Sequence, residues 1–315
     1  MNDSASAFHP IFAGIEIGIG IWAWGDRLFW GYRQDYNDQD IQAAFKTSLD
    51  SGMVFFDTAE VYGQGQSEKI LGELQRDLPE NSLKIATKFM PYPWRLTSRA
   101  LSNALKGSLR RLNRKKVELY QVHQPFPPVR VETWMEAMVE AVHAGQTEAV
   151  GVSNYDLAKM MRAYEALQRE GVPLASNQME YSLLDRRIEK NGLLARCKEL
   201  NIRLIAYSPL AQGVLTGKYT PENPPRGFRS RKYDRKLLEQ VKPLIVVLKK
   251  IGADHGGKNA AQVAINWCIC KGTLPIPGAK NLQQAEQNCG SAGWRLSEDE
   301  IFLLDETSER VVKTD

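Results

Sequence analysis

Four polar residues stand at the ends of apolar runs, and their types suit proton transfer. Asp57 closes Met53-Val54-Phe55-Phe56-Asp57, and Tyr62 follows five residues later. Lys88 closes Leu83-Lys84-Ile85-Ala86-Thr87-Lys88, and His123 closes Leu119-Tyr120-Gln121-Val122-His123. A free phenol titrates near about 10, too high for easy proton exchange at neutral pH. A neighbouring ammonium favours the phenolate and lowers that value. Lys88, held in place by Asp57, would therefore make Tyr62 a usable general acid, and His123 would donate a hydrogen bond to the oxygen that gains negative charge. Such a group protonates a carbonyl oxygen while a nucleophile reaches the carbon. The sequence pairs no serine or cysteine nucleophile with a histidine and spaces no histidines for a metal. The nucleophile must come from outside, and a hydride from a nicotinamide is the natural candidate.

These residues need elements that bring strand ends together. Short apolar runs occur near 15–19, 53–57, 83–88, 118–122, 148–152, 174–178, 202–207 and 273–277. Segments with helical periodicity lie between them, near 38–51, 67–77, 98–112, 131–144, 156–169, 191–200 and 259–271. Ile70, Leu71 and Leu74 make one helical stripe, and Leu101, Leu105, Leu109 and Leu112 another. Asn37 or Asp38, Ser67, and Thr97 or Ser98 read as N-caps. Parallel strands need crossovers, so strands alternating with helices imply a parallel sheet. Eight such units match the size of an α/β (β/α)8 TIM barrel, whose active site sits at the C-terminal face of the strands. A doubly wound sheet is the rival, but no linker rich in Pro, Gly or Ser divides the chain. The expectation is a single domain over 1–315, with residues 1–10 a loose terminus and 211–233 a loop that covers the cofactor.

Composition narrows the function classes. The chain has 315 residues and a formal net charge of +4, with no clustered basic domain of the kind that binds nucleic acid. Cys197, Cys268, Cys270 and Cys289 lack zinc-site spacing and read as core or reduced thiols, which suits a cytoplasmic location. No leader or membrane span is apparent. His9, His143 and His255 show no partner pattern. Gly18-Ile19-Gly20-Ile21-Trp22-Ala23 fits a dinucleotide fingerprint only superficially, because that motif must open a helix and here Trp24, Gly25 and Asp26 follow. The stretch reads as an aromatic loop walling a substrate pocket, with Trp22, Trp24 and Trp30 on it and Trp94 and Phe126 after later strands. Such a wall favours an aromatic or otherwise apolar aldehyde or ketone.

Phe56-Asp57-Thr58-Ala59-x-x-Tyr62-Gly63, Ala86-Thr87-Lys88 and Leu119-Tyr120-Gln121-Val122-His123 resemble the aldo-keto reductases. So do Gly151-Val152-Ser153-Asn154, Gln178 and Tyr207-Ser208-Pro209-Leu210. The likeness runs from about Gly14 to Leu304 and is strongest to plastid and cyanobacterial members, with potassium-channel β subunits more distant. It implies a tetrad of Asp57, Tyr62, Lys88 and His123 and a nicotinamide cofactor. Ser153, Asn154 and Gln178 match the residues that hold the carboxamide, and Tyr207 the ring that stacks on the nicotinamide. Ser208, Pro209, Leu210, Gln212 and Gly213 would follow the pyrophosphate, with Thr216 and Lys218 nearby. Gly278 lies in the cofactor-binding run that opens the last helix, Lys280 and Gln284 match the ribose-phosphate grip, and Gln287 and Asn288 the adenine contacts. Lys280 at a helix start suits an extra phosphate, so the resemblance implies NADPH. Ile21, with Trp22, stands where threonine is common beside the nicotinamide, and Gln287 where glutamate is common. In the basic cluster around 226–236, Arg229 or Arg231 would close over the pyrophosphate. The implied activity is NADPH-dependent reduction of small-molecule carbonyls. A narrow reductase of the pyridoxal type and an NADPH-sensing regulatory subunit with slow turnover are the alternatives.

Overall fold

Side chains on a strand alternate between its two faces, and here that alternation sorts apolar from polar residues by height inside a closed sheet. The computed structural model describes residues 8–80, 82–227 and 229–311. Eight parallel strands lie beside one another in chain order. They are β1 (Ile19–Gly20), β2 (Phe55–Asp57), β3 (Lys84–Phe89), β4 (Val117–Val122), β5 (Thr147–Ser153), β6 (Leu174–Glu180), β7 (Arg203–Tyr207) and β8 (Leu274–Pro275). The ring closes where the Gly18 N–H donates to Pro275 O at 3.0 Å and the Gly20 N–H to Pro277 O at 3.1 Å. Glycine is required on this edge: a Cβ on Gly18 would lie 2.6 Å from the Phe55 ring, and one on Gly20 2.8 Å from the Ile276 carbonyl oxygen. The architecture is the expected (β/α)8 barrel.

Phe55, Ala86, Leu119, Ala149, Ile205 and Leu274 form an apolar cluster inside the barrel. Ile11 and Phe12, on the 3-10 turn Pro10–Phe12, join it. The loose terminus expected over 1–10 is therefore ordered from Phe8 on: Phe8 lies 4.9 Å under the Arg203 guanidinium, and His9 caps the turn. Residues 1–7 lie outside the described residues.

The outer helices are α1 (Asp38–Asp50), α2 (Gln66–Leu74), α3 (Ser98–Leu112), α4 (Val131–His143), α5 (Leu157–Arg169), α6 (Arg187–Lys190), α7 (Leu193–Glu199), α8 (Arg229–Lys232), α9 (Arg235–Asp254), α10 (Ala260–Cys270), α11 (Leu282–Cys289) and α12 (Glu298–Val311). Asn37 closes a capping box with Asp40, and the leucine stripe of α3 is buried as its spacing predicts. Ser67 does not cap. It sits inside α2, which starts after left-handed Gly65, and its hydroxyl donates to Ile21 O at 2.9 Å. Thr97 takes the cap position without a side-chain bond. The helix that the periodicity predicts over 191–200 is α7, which starts after left-handed Gly192 (φ 78°), and the one-turn α6 before it lies outside that segment. The helical segments read from the sequence leave out α9 and α12. Pro243 lies inside the first, whose buried Leu238, Val241, Leu244, Leu248 and Ile251 still keep helical spacing, and Phe302 and Leu303 stay exposed beside buried Leu304 in the second. Among the described residues no helix is long and apolar enough to cross a membrane.

Candidate active site

Two residues beyond each apolar rung the same strands turn polar: Phe55 gives way to Asp57, Ala86 to Lys88 and Leu119 to Gln121. The Lys88 side chain is fully buried, and its Nζ lies 2.5 Å from Asp57 Oδ1, 2.7 Å from the Thr58 carbonyl oxygen and 3.4 Å from the Tyr62 hydroxyl. The second Asp57 oxygen accepts from Gln178 Nε2 at 2.8 Å and Gln121 Nε2 at 3.3 Å. A buried carboxylate is tolerable only when bonded in this way.

Gln121 belongs to the site although no motif announces it. Its signal is the two-residue period Leu119, Gln121, His123, which aims all three inward. Gly151 makes the room, because a Cβ there would meet Ser176 Oγ at 2.2 Å and the Gln121 side chain at 3.2 Å.

Tyr62 sits on the 3-10 turn Tyr62–Gly65 after β2. His123 meets its ring edge-on at 5.6 Å, and Trp22 stacks beside it at 5.9 Å. Burial pushes the Tyr62 phenol well above its usual range, and the Asp57 carboxylate adds to this. From the sequence, Lys88 is expected to lower that pKa. In the folded site the ammonium is neutralised by Asp57, which is nearer to it than the phenol is, so little net positive field reaches Tyr62. Burial pulls Lys88 itself below the usual lysine range, against the opposing pull of Asp57. Burial, with Lys88 adding, draws His123 down to about 3, so the ring is neutral at physiological pH. Its Nδ1 has no partner among the described residues.

The residues expected to hold a nicotinamide form one linked group beside this tetrad, at the ends of β5, β6 and β7. Ser153 Oγ donates to Gln178 O at 3.1 Å. Asn154 Nδ2 donates to His123 O at 3.1 Å, and the Tyr207 hydroxyl donates to Asn154 Oδ1 at 2.9 Å. Ile21 is buried, its N–H bonded to Asp57 O at 2.9 Å. Beyond Tyr207 come Pro209 and Leu210, and the backbone turns left-handed at Ser208, Ala211, Gln212 and Gly213. Such conformations cost energy outside glycine and concentrate at ligand sites. Thr216 Oγ1 closes this turn on Gly213 O at 2.8 Å.

At the far end the Lys280 ammonium lies 4.7 Å over the Tyr36 ring and 5.2 Å over Trp30. The Arg229 guanidinium lies 5.4 Å over the same Trp30 and donates to the Tyr219 hydroxyl at 3.0 Å. Arg229 and Lys280 thus share the Trp30 ring. Burial, then Arg229 and Lys218, hold Lys280 down to about 8. Trp30 Nε1, buried nearby, lacks a partner among the described residues. Gathered, partly desolvated cations beside an unused donor fit a phosphate dianion. Gln284 accepts from the Lys280 N–H at 3.0 Å, and Asn288 donates to Gly278 O at 3.2 Å. Gln287 lies on the same helix, α11.

The aromatic wall divides. Trp22 and Trp30 pack together at 5.5 Å on the mouth. Trp94 stacks on Tyr92 at 4.6 Å and is 72% exposed, and Phe126 is also exposed. Trp24 is no part of the wall. It is fully buried against Phe45 and Phe56, and its indole N–H donates to Ala279 O at 2.8 Å. A groove of about 590 Å³ on α2 and α3 lies on the outer wall of the barrel and holds none of these residues.

The family model for the aldo/keto reductase family matches residues 16–309. A chloroplastic pyridoxal reductase of Arabidopsis thaliana is 41% identical over 310 residues, covering 95% of this chain and 84% of that protein. An aldo-keto reductase of Bacillus subtilis is 31% identical over 303 residues, covering 91% and 88%. Among solved structures, an aldo-keto reductase from Klebsiella pneumoniae in complex with NADPH superposes with a TM-score of 0.73 at 27% identity, covering 92% of this chain and 90% of that one.

Proposed function

We propose, on the premise that this chain belongs to the aldo/keto reductase family, that it reduces aldehydes and ketones to alcohols with Tyr62 as the proton donor. It is an NADP-dependent oxidoreductase of carbonyl groups. The observation that carries the assignment of roles is the buried chain Asp57–Lys88–Tyr62, with contacts of 2.5 and 3.4 Å. NADPH, when bound across Tyr207 and Lys280, supplies the hydride that goes to the carbonyl carbon. The chain's residues do the rest. Tyr62, protonated because its surroundings are dry, gives its proton to the carbonyl oxygen. Lys88 stands 3.4 Å away to stabilise the phenolate left behind. Asp57 fixes Lys88, and Gln121 and Gln178 fix Asp57. The neutral His123 ring has a hydrogen to donate to the same oxygen. Arg229, Lys218 and Lys280 support NADPH over NADH. One barrel over 1–315, with 211–233 closing on the cofactor, is our reading of the domain. The free cysteines support a reducing compartment, the cytoplasm.

A narrower reading favours pyridoxal. It rests on the Arabidopsis relative and on the aromatic wall, which suits a flat heteroaromatic aldehyde. Loss of NADPH absorbance is the assay, run on pyridoxal, benzaldehydes, small aliphatic aldehydes and ketones. Turnover of pyridoxal far above the rest selects the narrow reading, and a spread of rates selects the broad one. Tyr62→Phe should keep NADPH binding and lose about 10² to 10⁴-fold in turnover. Undiminished turnover in that variant would remove Tyr62 from its role.

A further inference from the structure

Between the loops that follow β2 and β3 lies an ion pair that the proton-transfer chemistry does not use. Glu60 stands two residues before Tyr62, and Met90 two residues after Lys88. The Glu60 side chain is 8% exposed. One of its oxygens accepts the Met90 N–H at 2.7 Å and pairs with Arg95 Nη1, and the other accepts from Arg95 Nη2 at 3.2 Å. Arg95 Nη1 also returns to the Met90 carbonyl at 3.0 Å, closing the loop on itself. The guanidinium covers the Phe89 ring at 5.1 Å and the Tyr92 ring at 5.4 Å. Tyr92 in turn stacks on Trp94 with the two planes within 6°. One carboxylate and one guanidinium therefore connect the turn that carries the proton donor to the aromatic platform on the neighbouring loop.

We propose that Glu60 and Arg95 are positioning residues that set substrate specificity by registering the Tyr92–Trp94 platform against the Tyr62 turn. The proposal deepens the carbonyl-reductase reading and rests on it. A surface ion pair would do little of this. This one is largely buried on the carboxylate side, bidentate, and shared with a backbone N–H, so its geometry is fixed. Arginine is needed for the fork and for the stacking on Phe89 and Tyr92, and lysine supplies neither. An aromatic aldehyde that lies along the platform depends on its register, whereas a small aliphatic aldehyde held at Tyr62 and His123 does not.

The test uses the full-length protein and compares Glu60→Gln, Arg95→Met and the double variant with the parent. With the pair broken, the KM for a benzaldehyde should rise about 10-fold while kcat/KM for propanal stays within about twofold, and the double variant should match the singles because the two residues act as one unit. Arg95→Lys should behave like Arg95→Met. Acrylamide quenching of the fluorescence that Trp94→Phe removes should increase in Glu60→Gln, a readout that needs no turnover. Parallel losses on both aldehydes, additive effects, or unchanged quenching would overturn the positioning role. Failure of the parent to reduce any aldehyde would instead sink the carbonyl reading, and the quenching result would still decide whether the pair holds the platform.

Discussion

The interior of the barrel has two layers built from the same strands, one made to hold and the other to react. Phe55, Ala86 and Leu119 pack with Ile11, Phe12 and Leu274 in an apolar cluster. Two residues further along, Asp57, Lys88 and Gln121 bury a charge pair and its amide supports. Removing an apolar side chain from the first layer leaves a cavity. Removing one partner from the second leaves an uncompensated charge. The chain thus places its buried charges above an apolar layer, and the lower layer supplies the stability on which the upper one depends.

Breaking each layer separately tests this division. Lys88→Met strands buried Asp57 and should cost about 3 to 5 kcal/mol of stability as well as nearly all turnover. Replacing Asp57 with Leu in the same protein should recover part of that stability and none of the activity. Phe55→Ala should cost a similar amount, about 3 to 5 kcal/mol, while the folded fraction keeps its kcat. Urea denaturation beside steady-state rates separates the cases. Equal loss of kcat per folded molecule in both variants would mean the layers are not independent.

A smaller effect is expected at the phosphate end. Lys280→Met should weaken NADPH binding by about 1.5 to 3 kcal/mol and NADH binding little, by fluorescence titration. In the free protein Lys280 is held down to about 8, and a bound phosphate raises it. The contribution is therefore present below about pH 8 and is lost progressively as pH rises above it toward the higher value of the bound state. The parent should show this fall for NADPH and not for NADH, and the variant for neither.

The last effect, confined to acid pH, concerns His123. Its folded value of about 3 lies below the ordinary 6.5, so the unfolded chain binds the extra proton first. Its contribution is present above pH 6.5 and is lost as pH falls toward the folded value. His123→Gln should flatten the acid side of the stability profile by this one group. An unchanged slope between parent and variant would show that the ring is already charged in the fold.

The tetrad is legible because Asp57, Lys88 and His123 lie at strand ends with Tyr62 on the turn after β2, and strand order in a barrel is chain order. Gln121 is hidden because a glutamine in a strand interior carries no motif, and only the inward phase it shares with His123 marks it. Trp22 and Trp24 show why loops resist sequence reading. Both stand in one aromatic run, but a turn closed by the Trp24 N–H on Ile21 O at 3.0 Å sends one ring toward Tyr62 and the other into the core. No periodicity encodes that choice. The fall in Tyr62 acidity is equally out of reach, since it depends first on how completely the phenol is buried and then on the nearby Asp57 carboxylate.

The ring of strands also has a weak line. Where β8 meets β1, the strand offers Pro275 and Pro277, which accept from Gly18 and Gly20 but have no N–H to give back. That junction is held by these two bonds and the bridge between Gly20 and Gly278, and its glycines are conformationally loose in the unfolded chain. It is the place where this cylinder would unzip, and where amide exchange would be fastest among the eight joints. Trp22 follows one lip of that line and Lys280 the other, and Trp24 already bridges them through Ala279 O. A dinucleotide that gripped both lips would act as a stitch, so that occupancy of the site and mechanical closure of the barrel become one event.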